Sequence, residues 1–95
     1  EDQREYAPQL REIVAANKEL QERAVFKRAS ITDGMAQALQ ARGIAEPAAG
    51  LAAELGSRAY YTGFDRWIEP ANTRPLPELG REAFEELRAA VTSLD

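Results

Sequence analysis

Apolar residues recur along this chain at intervals of three and four, and no segment alternates strictly between apolar and polar, so the pattern predicts helices and no strands. Glycine and proline cluster between Gly43 and Pro47 and again between Pro70 and Pro77, which divides the chain into long helical stretches. A first helix is expected over about 2–16. Tyr6, Leu10, Ile13 and Val14 form its apolar stripe, and Arg4, Glu5, Arg11 and Glu12 lie around the rest of the circumference. Pro8 places the start of this helix near residue 7, or a kink there, because the ring clashes with the preceding turn. Asn17 is a suitable N-cap for a second helix over about 18–42, whose Leu20, Ala24, Ile31, Met35, Ala38 and Leu39 project into a narrow arc. Arg42 suits the negative helix end and Gly43 the left-handed position beyond it, so the stop is well marked.

The third helix, about 47–69, opens at Glu46-Pro47, where proline fits the first turn. More than half of its circumference is apolar or small, and Glu54, Arg58, Thr62, Asp65 and Glu69 confine the polar arc. Such a helix is expected to pack on two sides, against its own domain and against something else. The fourth, about 76–93, carries one stripe from Leu76 through Leu79, Gly80, Ala83, Phe84, Leu87, Ala90 and Val91 to Leu94, opposite a charged face of Arg81, Glu82, Glu85, Glu86 and Arg88. Short connections between four helices predict a small antiparallel bundle. A domain of 95 residues buries a limited share of its surface, so an extra apolar face invites an oligomer.

Composition narrows the function. With 44% hydrophobic and 29% charged residues the chain falls among folded globular proteins, and its apolar runs are broken, as at Glu54, well short of a membrane span. No membrane partner is expected, and with no secretory-type leader in the sequence the expected address is cytoplasmic. The absence of His and Cys removes imidazole bases, thiolate nucleophiles and most zinc sites, so no enzyme, cofactor or metal is expected. Basic and acidic residues number 7 and 8 through Pro47 and 5 and 8 after it. Neither half is a basic patch able to grip phosphates.

The segment from Ala38 to Val91, with its Ala41-Arg42-Gly43 helix end, Tyr60, Phe64 and Trp67 on one helix, the polar loop Pro70 to Arg74 and the Leu76-Pro77-Glu78-Leu79 start of the last helix, resembles the C-terminal domain of TetR-family transcriptional regulators. The likeness is to the branch with mycofactocin-regulator-like C-termini, and it extends more weakly upstream to Leu10. It implies that residues 1–95 form a regulatory and dimerising domain, that its last two helices build an intermolecular four-helix bundle, and that the helices before them wall a cavity for a small effector. It also implies a helix-turn-helix DNA-binding domain that these residues do not contain, so operator DNA is expected as a partner only through that domain. The expected function is therefore the ligand-sensing half of a repressor. A freestanding helical dimerisation or interaction module is the alternative.

Residue types point to where these roles fall. Gly56 and Gly63, flanked by Ala59, put small residues on one flank of the third helix, and glycine inside a helix costs about 1 kcal/mol relative to alanine, which close packing must offset. With Leu55, Trp67, Gly80, Ala83, Phe84 and Leu87 they make the expected homodimer interface, with packing inside one chain as the alternative. Tyr60, Tyr61 and Phe64, with Phe26 and Met35 on the second helix, are the expected walls of a pocket for a largely apolar effector, where a hydroxyl or an arginine would fix orientation. Core packing is the alternative for Phe64, and a single exposed ring for Phe26. Arg58, Asp65, Ser30 and Thr32 are weaker candidates for orienting a ligand. The acidic pairs Glu85–Glu86 and Glu54 with Asp65 lack the loop that would make them a metal site or a carboxylate pair.

Overall fold

The computed structural model describes residues 2–94, and side chains from residue 5 onward. Four helices follow one another: α1 (Asp2–Ala15), α2 (Lys18–Ala41), α3 (Ala48–Trp67) and α4 (Leu76–Thr92). No strand occurs among the described residues, and none of these helices is long and apolar enough to cross a membrane. Pro8 lies inside α1, which extends through it from Asp2, so the helix does not begin near residue 7. Asn17 caps α2 as expected: its Oδ1 accepts from the Leu20 N–H at 3.0 Å. Gly43 takes φ 98° after the α2 C-terminus, a conformation that would strain a side chain. The start of α3 is held by Glu46, whose carboxylate accepts from the Gly50 N–H at 2.5 Å, an anion placed against free amides at a positive helix end.

Contacts run in chain order: α1 on α2, α2 on α3, and most extensively α3 on α4. This is an open arrangement in which α3 is central. Two sides of α3 are covered within this chain, Ser57 toward α2 and Ala59 and Gly63 toward α4, whereas its wide apolar arc predicts one side on its own domain and the other on something else. The backbones of α3 and α4 nearly touch at one crossing, since a Cβ added to Gly63 would lie 2.8 Å from the Cα and N of Gly80. Leu79 and Ala83 are the buried residues of α4 on that seam.

The interior is thin. Its buried apolar residues are Ala7, Ala49, Ala53, Ala59, Ile68, Leu79 and Ala83, while Tyr6, Leu10, Ile13, Val25, Phe26, Leu51 and Tyr60 stay more than half exposed. The accessible surface is 7189 Å², whereas a compact monomer of this mass exposes about 5,400 Å². The radius of gyration, 15.1 Å, likewise exceeds the roughly 12 Å expected for the length.

The α2 stripe departs from its projection. Residues 21–30 are all exposed, and the line that approaches α3 is Thr32, Ala36 and Leu39. Leu20, Ala24, Ile31, Met35 and Ala38 therefore flank the contact or lie outside it. Thr32 enters the interior at no hydrogen-bonding cost, because its hydroxyl donates to the Arg28 carbonyl at 3.0 Å.

Candidate functional site

Three apolar depressions follow from the open stacking, and the central one lies under α1. Ala7, Leu10 and Val14 of α1, Ala24 and Val25 of α2, and Tyr61 and Phe64 of α3 wall a half-open cavity of about 490 Å³, within the range of small-molecule sites. Among the described residues three charged side chains line it: Arg11, Arg28 and Asp65. Arg11 of α1 and Asp65 of α3 are paired with each other, a bridge that ties the cavity roof to its floor. Arg28 lies over the Tyr61 ring, with its guanidinium carbon 4.2 Å from the ring centre, a cation–π contact.

The aromatic residues of α3 form a continuous series. Tyr60 meets Tyr61 edge-on at 5.3 Å and stacks on Phe64 at 6.4 Å, and Phe64 lies 5.7 Å from Trp67. Their spacing on one helix divides them between faces. Tyr61 and Phe64 look into the cavity under α1, while Tyr60 and Tyr61 join Ile31, Met35 and Ser57 around a smaller space of about 280 Å³. Tyr61 therefore stands on the divide between the two. The five expected ligand residues are not brought together: Tyr61 and Phe64 share the α1 cavity, Met35 and Tyr60 lie on the other side of the α2–α3 seam, and Phe26, 75% exposed, lines none of these spaces.

The third depression runs between α3 and α4. Gly56, Ala59 and Tyr60 meet Leu76, Pro77, Gly80 and Phe84 along a groove of about 360 Å³. Of the residues expected at a dimer interface, Gly56, Gly80 and Phe84 line this groove half-buried, and Leu55, Trp67 and Leu87 are half-buried elsewhere on the two helices. Gly63, Ala59 and Ala83 are buried within the chain. For Gly63 this corrects the expectation: its missing side chain admits the α4 backbone of the same chain, a contact a partner cannot also make. The open flank of α4 exists because its apolar stripe is wider than the strip α3 covers.

Charge on this side is organised by two arginines. Arg66 reaches Glu82 at 3.3 Å and Glu86 at 2.8 Å, and Arg74 reaches Glu78 at 2.8 Å and Glu82 at 3.1 Å. The hydrogen bond from Arg66 holds the Glu86 carboxyl below the usual glutamate value, and Arg88 does the same for Glu85. The acidic face of α4 is thus partly spent on α3 and on the preceding loop. Asn72 shapes that loop: its side-chain amide donates to the Trp67 and Arg74 carbonyls at 3.1 and 2.9 Å and accepts from the Arg74 N–H at 2.9 Å.

No family model, curated protein or solved structure matches the chain. No group of His, Cys, Asp and Glu among the described residues could hold a metal ion. The geometry offers an apolar cavity with one cation over a ring and one ion pair, and a groove on the opposite side of the central helix. Sequence reasoning missed Arg28 and Arg11 as cavity residues, although Arg28, Thr32, Ala36 and Leu39 share one face of α2 at intervals of four and three.

Proposed function

We propose that the chain is the ligand-sensing and dimerising half of a TetR-type transcriptional regulator, binding a small, largely apolar effector under α1 and a second copy through the α3–α4 groove. The observation that carries this reading is the cavity of about 490 Å³ between α1, α2 and α3, apolar except for Arg28 and the Arg11–Asp65 pair. An effector filling it would press on α1, whose packing is on α2 and whose bridge to α3 is a single ion pair. In a regulator of this kind, movement of such a helix changes the spacing of paired DNA-reading helices, and half-site spacing tolerates little change. The shift available equals the effector's differential affinity for the two arrangements.

Dimerisation is supported by surface. The chain exposes about 1,800 Å² more than a compact monomer of its mass would, against about 800 Å² per partner in a standard interface. Sedimentation at micromolar concentration should report a dimer, and Gly80→Leu, which fills the groove where an added Cβ meets nothing within 4 Å, should dissociate it. A stable, folded monomer for the unaltered chain would overturn the interface. Gly63→Leu is no test of the dimer, because it strikes the α3–α4 crossing inside one chain.

The alternative, a helical module that dimerises without an effector, rests on the same groove. It is favoured if Gly80→Leu dissociates the chain while apolar ligands leave Trp67 fluorescence unchanged.

A further inference from the structure

We infer that the cavity under α1 selects a ligand with an anionic head on an apolar body, a carboxylate being the simplest case, and that Arg28 reads the charge. The inference rests on the cavity being the effector site. Of the three charged side chains there, Arg11 and Asp65 neutralise each other. Arg28 remains, and among the described residues it has no carboxylate within ion-pair distance. Asp33 and Glu54 border the shallow depression on its far side together with Val25, Ala29 and Thr32, yet neither closes a bridge to it. Among the described residues the lining thus carries one net positive charge and is otherwise apolar.

Stacking on Tyr61 strengthens the assignment. A guanidinium lying on a ring keeps its in-plane N–H donors for hydrogen bonds, and those donors match the two oxygens of a carboxylate. The ring also removes water from one face of the cation, so a neutral ligand pushed into the cavity would strip water from Arg28 and return at most a neutral acceptor, without charge compensation. An anionic head restores what is lost, and a cationic head is repelled.

The test uses three probes of equal chain length, decanoate, decanol and decylamine. Each is titrated against the intact chain and its Arg28→Gln and Arg28→Lys variants, with Trp67 fluorescence as readout and circular dichroism to confirm that each variant is folded. Trp67 reports because it touches Phe64, which lines the cavity. Decanoate should bind about tenfold or more tightly than decanol, as expected for a hydrogen-bonded charge, and decylamine more weakly than either. In Arg28→Gln the preference for decanoate should vanish with decanol affinity unchanged, and Arg28→Lys should restore part of it. Equal affinities for decanoate and decanol, or a preference that survives Arg28→Gln, would overturn the charge assignment and leave the cavity as an apolar site. Binding of none of the three would overturn the cavity as an effector site and this inference with it.

Discussion

Adding one methyl group at Gly63 sets two effects of known size against each other. As a helical residue, alanine is favoured over glycine by about 1 kcal/mol, so Gly63→Ala would stabilise α3 if the site were open. It is closed: the new Cβ would lie 2.8 Å from two backbone atoms of Gly80 and 3.2 Å from the Leu79 carbonyl carbon. Ordinary carbon contacts begin near about 3.5 Å, so the helices must separate by roughly 0.7 Å at their crossing. A side chain could rotate away from such a contact, but helix backbone cannot, which places the strain toward the upper part of the range of about 1–3 kcal/mol for overpacked interiors. The net expectation is a loss of about 1 kcal/mol, or a melting temperature lower by about 4–8 °C for a domain of this size. Gly80→Ala, on the facing helix, meets nothing within 4 Å and should gain about 1 kcal/mol by the same helix preference. Thermal and urea unfolding of both variants, each measured at several concentrations because self-association adds to apparent stability, reads the difference. If Gly63→Ala is as stable as the parent chain, or the two variants shift in the same direction, the close approach of α3 and α4 at this point is wrong.

Three further outcomes are expected. Gly43→Ala, which forces a side chain into φ 98°, should cost about 1 kcal/mol in urea unfolding, and an unchanged midpoint would refute the left-handed turn after α2. Because Arg66 lowers the Glu86 pKa in the folded chain, the resulting stabilisation is present above the usual glutamate value of 4.5 and is lost as pH falls through the folded value. Arg66→Gln should flatten the acid limb of a stability profile, and added salt should mimic it. Asp65→Asn weakens the bridge from α3 to Arg11, so amide exchange should quicken in α1 while α3 and α4 hold their protection, and uniform quickening would count against the bridge as a local tether.

The helices, the Asn17 cap and the Gly43 stop were legible because each depends on local sequence. Which arc of α2 faces α3 was not. Its apolar residues spread widely enough to permit several rotations; the least exposed positions facing α3 are Thr32, Ala36 and Leu39, with Met35 lying against Gly56 beside them. Gly63 shows a related limit: a small residue announces a close neighbour without saying whether the neighbour belongs to the same chain. Of the residues expected around one pocket, Met35, Tyr60 and Tyr61 share the smaller space and Tyr61 and Phe64 the cavity under α1, a division that depends on how α1 and α2 pack on α3 and that the helix pattern alone does not carry. The pattern places Arg11 on the polar circumference of α1 and does not single out Arg28, since nothing local marks a guanidinium that will lie over a ring 33 positions away.

An interior lined chiefly by alanine has a consequence for the heat capacity. The increment on unfolding scales with the apolar area newly exposed to water, about 12–15 cal/mol/K per residue in ordinary domains, and methyl groups such as those of Ala49 and Ala53, although fully buried, contribute little of it. For the chain alone the increment falls below that norm, and its stability curve is correspondingly flat. The large rings and aliphatic chains that would supply a normal heat capacity, at Tyr6, Leu10, Phe26 and Tyr60, already lie in water before unfolding begins. A partner that covered them, as in the proposed dimer, would restore that contribution to cold sensitivity and to a sharp melt.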